Sequence, residues 1–101
     1  MKVELLYFDG CPNWHDAHRN LRAAAERTGT DVEVTFTEIT TPEHAERRRF
    51  RGSPTILING VDPFADEGGE VGLSCRIYTG TGEMRGSPST DELVTALNAA
   101  R

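Results

Sequence analysis

Apolar residues crowd together from Leu5 to Phe8 without alternating, and beyond the following turn they recur at intervals of three and four. Residues 2–8 therefore read as an inner strand covered on both faces. From residue 13 to about residue 27 the period is helical. Trp14, Ala17, Leu21, Ala24 and Ala25 share one stripe, while Arg19, Asn20, Arg22 and Glu26 fall elsewhere. Gly29 is the stop signal for that helix. Val32, Val34 and Phe36 then alternate with Glu33, Thr35 and Thr37 up to Ile39, which predicts a second strand with one buried face. Its connection through a helix predicts that it runs parallel to the first.

Thr41 as N-cap, Pro42 at the first helical position and Glu43 in the first turn predict a short helix that fades before Gly52, with Ala45 and Phe50 as its apolar residues. Arg51-Gly52-Ser53-Pro54 leads into a compact apolar strand, Thr55-Ile56-Leu57-Ile58, and Asn59-Gly60 is a turn signal. Residues 61–72, with Asp62-Pro63 and Glu67-Gly68-Gly69, are too polar to pack and predict a long loop. Leu73, Cys75 and Ile77 share one parity and Ser74, Arg76 and Tyr78 the other, so a fourth strand is expected with Cys75 on its apolar face. Gly80-Thr81-Gly82 and Gly86-Ser87-Pro88 are turn clusters. Ser89-Thr90-Asp91-Glu92 matches a capping box ahead of Leu93, Ala96, Leu97 and Ala100, the last helix. The order is β-α-β-α-β-β-α in a single domain over residues 1–101.

A chain of 101 residues is long enough for one core without cross-links. Hydrophobic residues make up 37%, charged residues 27%, and the net charge is -5, which describes a surface-rich protein. No apolar run approaches the roughly 20 residues of a spanning helix. Met1-Lys2-Val3-Glu4 reads as a strand and not a signal peptide, so the expected location is cytoplasmic, with no membrane partner. Sixteen acidic residues against 11 Lys and Arg argue against a nucleic-acid surface, although Arg47-Arg48-Arg49 and Arg51 run against that average. Two cysteines far apart in such a chain suggest reactive or buried thiols before a structural disulfide.

The chemistry centres on Phe8-Asp9-Gly10-Cys11-Pro12-Asn13-Trp14. Gly10 permits a sharp turn, Pro12 suits the first helical position, and Cys11 is left beside the unpaired N–H groups of the first turn. Those groups favour a thiolate, and a cysteine so placed drops by one to several units from about 8.5. Cys11 is the candidate nucleophile. His15 and His18 follow it at i+4 and i+7, the spacing of a three-ligand zinc site, but no fourth ligand has the right spacing and no metal is expected. A surface His pair, with His15 supporting the thiolate, is the simpler reading. Trp14 covers the apolar stripe or shields Cys11.

The element order, with a cysteine at the start of the first helix and Ser53-Pro54-Thr55 before the third strand, resembles the thioredoxin-like fold over nearly the whole chain. The resemblance implies a four-stranded mixed sheet with helices on both faces, and a cis peptide before Pro54 packed against the reactive cysteine. It also implies a substrate groove in which Ser53, Pro54 and Thr55 contact an extended partner. Cys11-Pro12 looks like the start of a glutaredoxin-type C-P-x-C, with Trp14 in place of the second cysteine. In the monothiol form an external thiol resolves the mixed disulfide on Cys11; the alternative is resolution by Cys75. A fourth strand hairpinned to the third would leave Cys75 roughly 10 Å short of the active end at about 3.3 Å per residue. A disulfide needs Cα atoms within about 7 Å, so only a detour of residues 61–72 would join the sulfurs. Cys75 thus reads as a core thiol before a resolving one.

A thiol or disulfide, small molecule or protein, is the expected substrate. Glutathione is the candidate co-substrate, with the Arg51 cluster meeting its carboxylates, and no other cofactor is expected. The Phe-Asp-Gly-Cys-Pro-Asn-Trp start and the Gly-Leu-Ser-Cys-Arg segment are also similar to short actinobacterial-type proteins labelled alkylmercury lyase. That label implies cleavage of a carbon–mercury bond by two thiolates and an acid, with Asp9 the nearest acid in sequence. A binding module that keeps the fold without turnover is the third reading.

Overall fold

The computed structural model describes residues 1–65, 70–80 and 84–101. Among these residues three strands, β1 (Lys2–Tyr7), β2 (Glu33–Glu38) and β3 (Thr55–Ile58), form one mixed sheet with three helices, α1 (Trp14–Thr28), α2 (Pro42–Arg48) and α3 (Thr90–Ala99). The sheet order is β2-β1-β3. β1 runs parallel to β2, with Val3 opposite Val34, and antiparallel to β3, with Leu5 opposite Ile56. Its unbroken apolar run follows from that central place. Val3 and Leu5 join Ala17, Leu21 and Ala24 of α1 and Leu93 and Leu97 of α3 in one core. Leu6, on the opposite face, joins Ile39, Ala45 of α2 and Phe50 in a second. Glu4 shares that second face, where its carboxylate accepts from Arg48 (2.7 Å) and from the Thr37 hydroxyl (2.6 Å). Burial acts to raise the Glu4 pKa, but Arg48 and Thr37 hold it below the ordinary 4.5.

The helix ends follow local chemistry. The Gly29 N–H closes α1 onto Ala25 and Glu26 with φ +65°, a left-handed conformation suited to glycine. Thr41 caps α2 by accepting from the His44 N–H at 3.0 Å. The start of α1 differs from expectation. Cys11 N–H donates to Phe8 O (3.1 Å) and His15 N–H to Pro12 O (3.2 Å), so a tight turn precedes the helix, Asn13 is the N-cap, and Pro12 lies before it instead of at the first helical position. On β2 the face expected to be buried is only partly covered, because Phe36 lies on an edge strand and stays 42% exposed.

α3 opens with both halves of a capping box: Glu92 N–H donates to Ser89 Oγ (3.1 Å) and Ser89 N–H to Glu92 Oε1 (2.9 Å), while Arg85 pairs with the same carboxylate. Burial acts to raise the Glu92 pKa, but the Ser89 N–H and the Arg85 guanidinium outweigh it and the net shift is downward from 4.5. A lowered folded-state value means that this stabilisation is present above 4.5 and is lost as pH falls through the folded value. Urea midpoints measured from pH 6 down to pH 3 are expected to fall less steeply for Glu92→Gln than for the wild type; identical slopes would refute the assignment.

The expected fourth strand is not formed among the described residues. In its place the chain makes two isolated bridges, Ser53 with Cys75 in parallel and Tyr78 with Arg85 antiparallel. The Asn59-Gly60 turn, at φ +51° and +84°, reverses the chain only as far as Val61, which bridges Ile58. Beyond it the chain returns to the head of β3 and runs beside Ser53 in the same direction. Within residues 61–65 Phe64 does pack: it is buried and meets the Tyr78 ring edge-on at 5.4 Å. The Glu67-Gly68-Gly69 and Thr81-Gly82 parts of the predicted loop and turn lie outside the described residues. No helix among the described residues is long and apolar enough to cross a membrane.

Candidate functional site

The return of the chain to Ser53 brings together two side chains that strand geometry had set apart. Cys11 and Cys75 form a disulfide with Cα atoms 5.7 Å apart. The parity expected for residues 73–78 is inverted, with Arg76 and Tyr78 buried and Cys75 and Ile77 exposed. The assignment of Cys75 to the core is therefore corrected, as is the expectation that it stops short of Cys11. The physical reason is that the buried face of this segment carries long side chains whose polar ends find partners inside, a case that apolar parity does not register.

The two sulfurs stand in unlike surroundings. Cys11 has no solvent exposure, and its Sγ lies 3.6 Å from the carbonyl oxygen of Ser53. The Ser53–Pro54 peptide is cis. Ser53, Pro54 and Thr55 are all buried, beneath the segment that carries Cys75. Ser53 N–H donates to Ser74 O (2.7 Å) and Arg76 N–H donates to Ser53 O (2.9 Å), so the backbone groups expected to face a substrate are taken by the chain itself. The Thr55 hydroxyl donates to Gly52 O (2.7 Å). The Ser53 hydroxyl is buried with no hydrogen-bond partner among the described residues.

Arg76 anchors this arrangement, and sequence reasoning missed it. Its guanidinium, whose side chain has no exposure, donates to Asp62 Oδ2 (2.8 Å), Thr55 Oγ1 (3.3 Å) and the Phe64 carbonyl, and lies 4.8 Å from the centre of the Tyr78 ring. Asp62 uses its other oxygen to accept from the Phe64 N–H (2.8 Å). The Tyr78 hydroxyl donates to Pro54 O (2.5 Å). Gly52, at φ +111°, lets the two backbones touch: a Cβ there would lie 2.9 Å from the Cβ of Arg76. The available signal was a carboxylate, Asp62, the first of four acidic residues in a stretch judged too polar to pack.

The remaining candidates surround the site unevenly. Arg51 is exposed two residues before Ser53. Trp14 is half-buried, stacked on His15 (3.7 Å between ring centres) and close to Tyr7 (4.6 Å), with Phe36 edge-on at 5.9 Å. His18 Nε2 accepts from Arg22 Nε at 3.3 Å, and burial followed by the charge of Arg22 pushes its pKa down. Among the described residues no three of His, Cys, Asp or Glu converge as metal ligands. Asp9 is exposed in the turn before Cys11. A cavity of about 450 Å³ between the end of β3 and α3, lined by Ile58, Phe64 and Ala96 among others, is lined by neither cysteine and meets the site just described only through Phe64. Comparison with protein-family models, curated proteins and solved structures finds no match to this chain.

Proposed function

We propose that this chain is a thioredoxin-like thiol–disulfide redox domain whose exchanging pair is Cys11 and Cys75. The observation that carries the reading is the pairing of two distant cysteines, one sealed against Ser53 and the other exposed. The asymmetry orders the chemistry. An external thiolate attacks the Cys75 sulfur along the S–S axis; a new S–S bond forms, the bond to Cys11 breaks, and the Cys11 sulfur leaves with the electron pair. A second external thiolate then attacks the external sulfur of the mixed disulfide and releases Cys75. Two thiols have become one disulfide, and the protein has gained two electrons and two protons. In the opposite direction Cys75 attacks an external disulfide and Cys11 resolves the mixed species. Cys11, expected from the sequence to be the nucleophile, is in this reading the leaving and resolving sulfur because it is buried, and Cys75 is the one that meets the partner.

Protein reduced and freed of reductant, then mixed with glutathione disulfide, is expected to lose both alkylatable thiols and to retain no glutathione by mass spectrometry. Cys11→Ser should stop at a stable mixed disulfide on Cys75. Glutathione-dependent reduction of a small mixed disulfide is expected from the wild type and should fall to background in Cys75→Ser, whereas Cys11→Ser keeps turnover because glutathione itself releases Cys75 from the mixed disulfide. A wild-type rate no higher than that of the double Cys→Ser variant would leave a binding module.

The same approach of the sulfurs favours one second reading. Reduced Cys11 and Cys75 present two soft thiolates to one soft cation, the condition that organomercurial cleavage requires. Binding of one mercury(II) per wild-type chain, weakened in each single Cys→Ser variant, together with protonolysis of an alkylmercury substrate, would support it; cleavage at the uncatalysed rate would eliminate it.

A further inference from the structure

We infer that Arg76 is a positioning residue for the Cys11–Cys75 pair, holding Cys75 beside Cys11 whether or not the two sulfurs are bonded. The inference rests on the redox reading above. Several contacts that fix this segment do not use a sulfur atom: the guanidinium binds Asp62, Thr55 and the Phe64 carbonyl, the Ser53 and Arg76 N–H groups bond across the bridge, and the Tyr78 hydroxyl binds Pro54 O. Swinging the segment away would break the Arg76 bonds to Asp62, Thr55 and Phe64, the two Ser53 backbone bonds and the Tyr78 bond to Pro54 together. Gly52 presses on the Arg76 backbone from the other side. Reduction therefore removes one link among several, and the two thiols stay poised to close again.

The alternative is that the disulfide itself holds residues 74–77 in place, so that reduction frees them. The two cases differ in the dithiol state. Wild type, Arg76→Met and Arg76→Lys are equilibrated in glutathione buffers, where dithiol plus glutathione disulfide gives protein disulfide plus two glutathiones, and the forms are counted after alkylation. Amide hydrogen exchange at residues 53 and 76 is read on the same samples, and circular dichroism checks folding. In Arg76→Met the equilibrium constant for closure is expected to fall by about tenfold or more, which makes the couple about 30 mV less negative. Its amides at 53 and 76 lose protection in the dithiol form and keep it in the disulfide form. Arg76→Lys keeps a charge for Asp62 but lacks the fork that also reaches Thr55 and Phe64, so it should recover part of the loss. If Arg76→Met does not fold, a fall of about threefold in Arg76→Lys is the supporting result. A folded variant that closes as readily as wild type, with residues 53 and 76 equally protected after reduction, overturns the positioning role alone. A wild type that forms no internal disulfide at any buffer poise overturns the redox reading and this inference with it.

Discussion

Reduction of the Cys11–Cys75 disulfide is expected to lower the unfolding free energy by about 4 kcal/mol. The ring it closes spans a sequence separation of 64 and includes all of β2, α2 and β3. In the chain-entropy account a cross-link acts on the unfolded ensemble, and a ring of this size restricts that ensemble by about 4 kcal/mol. The Arg76 contacts do not cancel the effect, because they belong to the folded state and persist there after reduction. Against a total stability of roughly 5–15 kcal/mol this is a large fraction, equivalent to a fall in Tm of roughly 15 °C or more. Urea and thermal unfolding with and without dithiothreitol measure it. Cys75→Ser should unfold like the reduced wild type, since the new hydroxyl is at an exposed position. Equal midpoints for oxidised and reduced protein would mean that the bond does not form in solution.

Where the sequence encodes structure through neighbours, its reading and the fold agree. The unbroken apolar run of β1 reflects its place between β2 and β3, the α1 stripe of Ala17, Leu21, Ala24 and Ala25 is the face that meets the sheet, and the Ser89 to Glu92 box opens α3. The parallel β1–β2 pair follows from the intervening helix. The disagreements gather in residues 61–78, whose path depends on a partner that no local period announces. Alternation there was read as Leu73, Cys75 and Ile77 inward, on the premise that apolar side chains face the core. Arg76 and Tyr78 take the inward places because Asp62, Thr55 and the Pro54 carbonyl satisfy their polar ends. Half of the candidate site was thereby legible, namely Cys11 at a turn and Ser53–Pro54 at the head of a strand. The approach of Cys75 was not, because it goes with contacts of Arg76 and Tyr78 to residues distant in sequence. The small offset at Pro12 has a local cause in the Cys11 N–H, which closes a turn onto Phe8 before the helix begins.

The second large effect lies in that ion pair. Asp62→Ala is expected to cost about 3 kcal/mol or more, because it leaves the Arg76 guanidinium buried without a counter-charge. The loss is compounded by the Phe64 N–H, which donates to the other oxygen of the same carboxylate. Arg27–Asp91 serves as the control. Its distance, 2.6 Å, is as short as that of Arg76–Asp62, but its side chains are 57% and 89% exposed against 0% and 16%. Water already solvates both charges there, so Asp91→Ala should change stability little, and 0.5 M salt should screen what remains. The Asp62–Arg76 contribution should persist in that salt. The double variant Asp62→Ala/Arg76→Met removes the stranded charge together with its partner and should be more stable than Asp62→Ala alone, the signature of coupling within a buried pair. Urea unfolding of the four proteins completes the cycle, and strictly additive losses would show that the two side chains act independently. Such independence would also remove the anchor from Cys75, because the carboxylate that neutralises Arg76 is what permits a cation inside this domain at all.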